Sequence, residues 1–139
     1  MTPNETRLVQ ASFAQIDPIA NKIAASFYGR LFELDPALRE LFKTDLEIQG
    51  ARFMEKLAVA VKSLEDLAFV TPFARELGRR HAGYGVAPKD YDTAGEALIW
   101  ALEREFGPAF TPDLKTAWLA AYGMLCETML AGTDASASS

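Results

Sequence analysis

Apolar residues recur along this chain at spacings of three and four, which places them on one face of an α-helix. Val9, Phe13 and Ile16 form the first such stripe. The most regular stripe lies near the carboxyl end and consists of Leu114, Trp118, Tyr122, Leu125 and Met129. No segment shows the strict alternation of apolar and polar residues that is typical of a half-buried strand, so the pattern predicts an all-α fold.

Proline preceded by threonine or aspartate marks most of the predicted helix starts. Proline suits the first helical position, and the residue before it accepts hydrogen bonds from the first free amides. Such pairs are Thr2-Pro3, Asp17-Pro18, Asp35-Pro36, Thr71-Pro72 and Thr111-Pro112. Asp45 provides a further cap, and Glu5 completes a capping box with Thr2. The predicted helices are residues 3–16, 18–34, 36–42, 46–64, 72–83, 88–106 and 112–131, with a link at Lys43 and Thr44.

The 139 residues, 50% of them hydrophobic, are enough for one domain with one core. We expect this domain over residues 1–131, followed by a flexible tail of small and polar residues at 132–139. A net charge of −5 argues against non-specific binding to nucleic acid or to an anionic membrane. Because no apolar run reaches the ~18 residues of a membrane span, we expect a cytoplasmic protein.

The single cysteine, Cys126, excludes an intramolecular disulfide and fits a reducing compartment. It lies beside the apolar stripe of the last predicted helix, so we interpret it as a buried packing residue. The alternative is an intermolecular disulfide formed under oxidation.

His81 is the one histidine of the chain. It follows Phe73 and Leu77 at four-residue spacing, so on a helix it shares their apolar face. Glycines at 83 and 85 end this helix soon afterwards. Taken alone, an imidazole on an apolar face is more often a hydrogen-bonded core histidine than a metal ligand. The motifs elsewhere in the chain favour the interpretation of His81 as a metal ligand.

Several motifs stand in a fixed order along the chain. They are Phe27-Tyr28-Gly29-Arg30-Leu31-Phe32, Asp35-Pro36, Leu41-Phe42, Gln49, the segment Leu77-Gly78-Arg79-Arg80-His81-Ala82-Gly83-Tyr84-Gly85-Val86, and the pairs Ala117-Trp118 and Tyr122-Gly123. In combination they resemble a bacterial single-domain globin, similar to the haem domain of flavohaemoglobins and to neuroglobin. The resemblance covers nearly the whole chain. It implies a globin fold of seven to eight helices around a pocket for haem b.

On one side of the pocket, the resemblance implies that His81 ligates the haem iron while a backbone carbonyl near Leu77 binds its other ring nitrogen. Phe42 matches the corner phenylalanine that stacks on the porphyrin, with an ordinary core aromatic as the alternative. Further matches to haem contacts, which as core residues would look the same, are Leu77, Val86 and Leu98. Tyr91 matches a flavohaemoglobin tyrosine, but Thr133 stands where its partner glutamate is expected. A proximal charge relay and peroxidase-like activation of O₂ therefore lack support.

On the other side, Tyr28 and Gln49 match the positions that face the bound ligand and donate hydrogen bonds to it. Bound O₂ carries partial negative charge, so two donors in a dry pocket imply slow release and high affinity. The alternatives are a tyrosine that reaches solvent and a surface glutamine. Phe53 stands where the family usually has leucine or valine, and its ring narrows the space for the ligand.

Two arginines are candidates for binding the haem propionates. Arg52 matches a propionate-binding base of the family, and a solvated side chain is an equal alternative. Arg80 could also reach a propionate, but Glu76 one turn earlier offers it an ordinary helical ion pair.

These matches give three hypotheses of function. The first is reversible, high-affinity binding of O₂, with CO and NO as further ligands. The second is nitric oxide dioxygenation with an external reductase, because this sequence contains no reductase domain. The third is a haem-free interaction module with a globin fold. The single histidine excludes bis-histidine coordination, and both a monomer and a homodimer are open.

Overall fold

The computed structural model describes residues 1–42 and 45–138, with side chains up to Gly132. Within these ranges six α-helices follow one another: α1 (Pro3–Ile16), α2 (Ala20–Leu34), α3 (Leu46–Lys62), α4 (Leu67–Gly83), α5 (Pro88–Phe106) and α6 (Pro112–Ser138). Short 3₁₀ segments lie at Asp17–Ile19, Pro36–Leu41 and Gly107–Ala109. The described residues contain no strand, which confirms the all-α prediction. The predicted link at Lys43 and Thr44 lies outside the described residues.

Side chains cap several helix starts where the sequence predicts them. Thr2 and Glu5 form the predicted capping box, with Glu5 N donating to Thr2 Oγ1 at 3.1 Å and Thr2 N to Glu5 Oε1 at 2.9 Å. Asp45 accepts a backbone hydrogen bond at 2.8 Å before α3, and Thr111 accepts one at 3.2 Å before α6. The predicted helix at 36–42 is a 3₁₀ segment, so the described chain has six α-helices where seven to eight helices were expected.

The helix that carries His81 begins earlier than the sequence predicts. α4 starts at Leu67, before the predicted start at Pro72. The Asp66 side chain caps it by accepting a backbone hydrogen bond at 3.2 Å. Pro72 therefore lies inside the helix, where its missing N–H removes one intrahelical bond. The predicted start is wrong because Asp66 provides an earlier cap.

The last helix extends beyond its predicted end and stays helical to Ser138. Gly132, predicted to begin the tail, is buried where α6 crosses α4. A Cβ on Gly132 would collide with the Arg75 carbonyl, and a Cβ on Gly78 would collide with the backbone of α6. The two glycines thus allow close contact between the helices. Flexibility of residues 132–139 stays a prediction.

One aromatic side chain ties α6 to the first helix. Trp118 is 1% exposed, and its Nε1 donates to Ser12 Oγ at 2.9 Å. Ser12 in turn donates to the Val9 carbonyl oxygen at 3.0 Å. Both polar groups are therefore satisfied inside an apolar core. Within the described residues, no helix is long and apolar enough to cross a membrane.

The helices do not pack equally against one another. α4 packs mainly against α6, α2 against α5, and α3 against α2. α3 and α4, in contrast, contact each other at few residues. The predicted site residues Gln49 and Phe53 lie on α3, and His81 lies on α4. The sparsely packed region between these two helices is therefore the place to look for a site.

Candidate functional site

The His81 imidazole is held from within its own helix. It is half-buried in the last turn of α4, and its Nδ1 lies 2.7 Å from the Leu77 carbonyl oxygen. Because a carbonyl oxygen only accepts, Nδ1 must carry the proton. This bond is the one that the resemblance implies, and among the described side chains it is the only hydrogen bond of the ring. The tautomer presents the lone pair of Nε2, the atom that a metal would bind.

The electrostatic surroundings keep this imidazole neutral. Burial lowers the pKa of His81 below its ordinary value of 6.5, and the positive charge of Lys56 lowers it further. The hydrogen bond to Leu77 acts in the opposite direction but is the smaller effect. At pH 7 the ring is therefore neutral, which is the form that binds metals. Lys56 lies on α3, so α3 passes near His81.

Tyr91 on α5 flanks the imidazole from a second helix. The two ring centroids lie 6.3 Å apart, with 30° between the ring planes. The chain between the two residues is also fixed, because Val86 N donates to the His81 carbonyl at 3.0 Å and Ala87 N donates to the Asp90 carboxylate at 2.8 Å. Tyr91 itself is 7% exposed. Its ring is thus a buried neighbour of His81.

Tyr28 on α2 lies in an aromatic cluster. Its ring centroid lies between 5.1 and 6.3 Å from those of four phenylalanines, Phe27, Phe32, Phe42 and Phe53. Tyr28 is 5% exposed, so its ring does not extend into bulk solvent. Burial raises the pKa of Tyr28 to about 12. The hydroxyl therefore keeps its proton at physiological pH and can donate a hydrogen bond.

The Tyr28 hydroxyl has no hydrogen-bond partner among the described residues, and burial alone shifts its pKa. Every fully sealed polar side-chain atom of the described, non-exposed residues does have a partner. The hydroxyl must therefore border space that solvent or a ligand can enter. A donor that faces such space among phenylalanine rings is suited to a small polar ligand.

Gln49 is half-buried on α3, beside the crossing of α3 with α2. At this crossing a Cβ on Gly50 would lie 2.9 Å from the Ala24 Cβ and 3.7 Å from Tyr28 Cε2. The two backbones therefore approach closely where Tyr28 leaves α2. This brings the turn that contains Gln49 near the turn that carries Tyr28.

Most of the apolar residues predicted to line the site are half-buried rather than buried. These are Phe42, Phe53, Leu77 and Val86. Leu98, in contrast, is 2% exposed and belongs to the core. Gly85 has a φ of 92° and a Cβ there would lie 3.7 Å from the Leu41 side chain, so the loop beside Val86 meets the corner beside Phe42. A flat apolar group at this place would cover the half-buried side chains.

The two predicted propionate-binding arginines lie at the surface. Arg80 Nε lies 3.2 Å from Glu76 Oε1, so the helical ion pair considered as the alternative is formed. Glu76 also binds Arg79 at 2.6 Å. Arg52 on α3 is exposed and forms no ion pair with the described residues. Exposed pairs of this kind contribute little to stability.

One contact near the site is absent from the sequence-based prediction. Tyr122 on α6 donates from its hydroxyl to the Tyr91 carbonyl oxygen at 2.5 Å. The Cys126 thiol interacts with the same hydroxyl and is half-buried, and burial raises its pKa. The sequence gives one sign of this contact: Tyr122 carries a hydroxyl within an otherwise apolar stripe. The side chain of Thr133 lies outside the described part of the chain.

Comparisons with known proteins show which family this chain is similar to. A family model described as Globin matches residues 25–129. Neuroglobin of Danio rerio is 34% identical over 119 residues, which are 76% of this chain and 75% of that protein. Neuroglobin of Tetraodon nigroviridis is 29% identical over 146 residues, which cover 95% of this chain and 92% of the relative.

Two bacterial proteins are also similar. The flavohemoprotein of Bacillus subtilis is 25% identical over 134 residues, which are 94% of this chain but only 34% of that protein. A solved structure of an engineered carbene transferase from Rhodothermus marinus, with nitric oxide dioxygenase as its suggested activity, superposes with a TM-score of 0.89 at 25% identity. The superposition covers 99% of this chain and 96% of the other. This chain belongs to the globin family.

Proposed function

We propose that this globin binds haem b through His81 and holds O₂ reversibly and with high affinity next to Tyr28 and Gln49, with CO and NO as further ligands. The observation that carries the proposal is the Tyr28 hydroxyl, a protonated donor without a partner among the described residues that borders accessible space. Globins generally bind haem, and a buried donor of this kind is suited to a small ligand with partial negative charge.

The donor set of the chain fits haem rather than a bare metal ion. Among the described residues no group of three His, Cys, Asp or Glu side chains could hold an ion by itself. One neutral imidazole suits a metal that arrives with its own equatorial nitrogen ligands. The half-buried Phe42, Phe53, Leu77 and Val86 would gain apolar contact with a porphyrin.

Haem iron supplies reversible binding of diatomic gases, and the chain supplies the surroundings of the ligand. Tyr28 donates a hydrogen bond to the ligand, and Gln49 offers an amide as a second donor. The phenylalanine rings around Tyr28 give its hydroxyl an apolar setting, which strengthens its bond to the ligand. Each bond stabilises the bound ligand by about 1 kcal/mol, which slows its release roughly five- to tenfold.

The two arginines proposed to bind the haem propionates are not equally suited to this role. Arg52 is the better candidate because it forms no ion pair with the described residues. Arg80 would have to share its charge with Glu76, which already lies 3.2 Å away. Cytoplasmic location and oligomeric state stay predictions from the sequence.

The rate of O₂ release tests the proposal. Tyr28→Phe keeps the ring and removes only the hydroxyl, so we expect stopped-flow displacement of O₂ by CO to show about tenfold faster release. The matched control is Tyr84→Phe, the same change at a ring that is 66% exposed. An unchanged rate in Tyr28→Phe would contradict the assigned role of this hydroxyl.

A second candidate function is nitric oxide dioxygenation. The structural neighbour from Rhodothermus marinus has this suggested activity, and this chain spans about a third of a flavohemoprotein. The reaction combines O₂ and NO into nitrate and would take one electron from bound haem iron, so each turnover would require a reductase to return that electron. Sustained NO consumption with a reductase and reduced nicotinamide would support an enzyme. A single stoichiometric reaction would favour an O₂-binding protein.

A further inference from the structure

The ring of Phe53 stacks on a buried ring of the neighbouring helix. Its centroid lies 4.6 Å from that of Phe27 on α2, with 10° between the two ring planes. Phe27 is 5% exposed and belongs to the core, whereas Phe53 on α3 is half-buried. The core therefore covers one face of the Phe53 ring, and part of this side chain remains accessible.

The crossing of α2 and α3 fixes the distance between these two rings. A Cβ on Gly50 would lie 2.9 Å from the Ala24 Cβ, so the two backbones are already in close contact. Phe27 is three residues after Ala24, and Phe53 is three residues after Gly50. Both rings therefore lie about one helical turn from the crossing, on the faces that meet there. The helices cannot approach further to change the stack.

The same stack lies beside the candidate ligand-binding hydroxyl. The Tyr28 ring centroid is 5.1 Å from that of Phe27 and 6.3 Å from that of Phe53. Phe53 also follows Gln49 by four residues, so both side chains lie on one face of α3. Helical side chains lean toward the amino end of their helix, which directs the Phe53 ring toward Gln49. The ring therefore narrows the space that the Tyr28 hydroxyl borders.

Phe53 cannot easily leave this space. Rotation of its side chain would break the stack with Phe27, and stacked aromatic pairs are favourable beyond the area that they bury. A deeper position is not open either, because the Phe27 ring behind it is part of the close-packed core. The stacked pair is therefore a rigid wall of the candidate ligand site.

We infer that Phe27 and Phe53 together determine the size of the ligand that this site accepts. Phe53 borders the ligand, and Phe27 is a positioning residue that holds the Phe53 ring in place. The site then accepts a diatomic molecule and rejects a ligand that carries an alkyl chain. The inference deepens the proposed function, because it rests on a haem bound through His81 with its ligand next to Tyr28.

Alkyl isocyanides are suitable probes of this wall. They bind ferrous haem through a terminal carbon atom, as CO does, but carry a hydrocarbon chain behind it. Equilibrium titrations give the affinities of the parent and of Phe53→Leu for n-butyl isocyanide and for CO. We expect the ratio of the isocyanide affinity to the CO affinity to be about tenfold higher in Phe53→Leu, because the smaller side chain leaves room for the alkyl chain.

Phe69→Leu is the matched control. The Phe69 ring also stacks on a phenylalanine, Phe73, at 6.0 Å and 16°, but it is 47% exposed in the first turn of α4. This variant should keep the affinity ratio of the parent. An unchanged ratio in Phe53→Leu, or an equal increase in Phe69→Leu, would overturn the inference. Phe53→Met also removes the ring and has the same expected result, so it replaces Phe53→Leu if that variant does not fold.

A double-mutant cycle tests whether Phe27 acts through Phe53. Phe27→Leu should raise the affinity ratio about threefold, because the Phe53 ring loses the surface that holds it. In the Phe53→Leu background the same substitution should have no further effect. Equal increases in both backgrounds would contradict the positioning role of Phe27.

A measurement without haem reports the stack itself. 4-Fluorophenylalanine incorporated in place of Phe53 gives one ¹⁹F resonance, whose frequency depends on the ring current of Phe27. We expect Phe27→Leu to shift this resonance in the haem-free protein and Phe69→Leu to leave it unchanged. If Phe27→Leu also left it unchanged, Phe27 would not hold Phe53 and the inference would be wrong.

Failure of the proposed function gives a different result. A parent protein that takes up no haem, or whose ferrous haem binds no CO, would contradict the proposed function, and the ¹⁹F resonance would still decide whether Phe27 holds Phe53. A parent that binds haem and CO but has the same affinity ratio as Phe53→Leu would contradict the inference alone.

Discussion

Gly50 on α3 lies so close to Ala24 on α2 that a Cβ on the glycine would stand 2.9 Å from the Ala24 Cβ. Real Cβ atoms do not approach this closely, so the glycine is what allows the two helices to cross here. The same Cβ would lie 3.7 Å from Tyr28 Cε2, and Gln49 is the preceding residue. The crossing therefore sets the separation between the two predicted ligand-binding side chains.

We expect Gly50→Ala to destabilise the protein by about 1 to 3 kcal/mol, because the added methyl forces the helices apart. Urea unfolding measures this change as a lower midpoint. The control is Gly29→Ala in α2, where no neighbouring atom lies within 4 Å of the added carbon. That variant should be neutral or more stable by up to about 1 kcal/mol. Equal stability of Gly50→Ala and the parent would contradict the close crossing.

The hydrogen bond between Trp118 and Ser12 gives a second prediction. Ser12→Ala would leave the indole N–H without a partner inside the core, since Trp118 is 1% exposed. We expect a loss of about 1 to 3 kcal/mol in the free energy of unfolding. Ser26→Ala is a suitable comparison, because Ser26 is half-buried and makes a long bond of 3.4 Å to Glu105. If the free energy of unfolding decreased by the same small amount in both variants, the prediction for the buried hydrogen bond would be contradicted.

The lowered pKa of His81 predicts how stability depends on pH. Burial is the main cause of the lowered pKa. In the unfolded chain the imidazole binds a proton near the ordinary pKa of 6.5, whereas in the folded chain it does so only at lower pH. As the pH decreases below 6.5, the unfolded state therefore binds a proton before the folded state does. The free energy of unfolding decreases with decreasing pH until the imidazole of the folded state is protonated too. Above that range the histidine contributes no pH dependence.

Urea unfolding of the haem-free protein between pH 8 and pH 5 measures this effect. His81→Gln removes the titrating group, so the stability of the parent relative to this variant should decrease as the pH falls below about 6.5. Carboxylates titrate equally in both proteins and cancel in the difference. Parallel curves for the two proteins would contradict a lowered pKa at His81.

Periodicity and capping predicted most of the fold. The stripe of Val9, Phe13 and Ile16 is buried, and α1 has the predicted bounds. The predicted start of α4 was wrong because Thr71-Pro72 is a strong local start signal, whereas the helix begins at Leu67 with Asp66 as its cap. The predicted end of α6 was wrong because glycine is typical of helix ends, whereas Gly132 lies within the helix and allows α6 to pass close to α4.

The predicted site depended on resemblance more than on pattern. Spacing alone placed His81 on an apolar face and left a core histidine as the commoner interpretation. The hydrogen bond to Leu77 and the burial of Tyr28 agree with the roles that the resemblance implied, while those roles themselves stay predictions. The contact of Tyr122 with the Tyr91 carbonyl could not be predicted, because it joins residues 31 positions apart on different helices.

The optical spectrum of the purified protein tests the central claim most directly. Spectra are recorded for the parent and for His81→Ala, oxidised, reduced under argon, and reduced with CO. We expect the parent to show a strong Soret band and a five-coordinate ferrous form that binds CO, because Nε2 of the single histidine would bind the iron. His81→Ala should lose its haem readily. Absence of a Soret band in the parent after incubation with haem, or full haem retention by His81→Ala, would contradict the account and favour a haem-free globin.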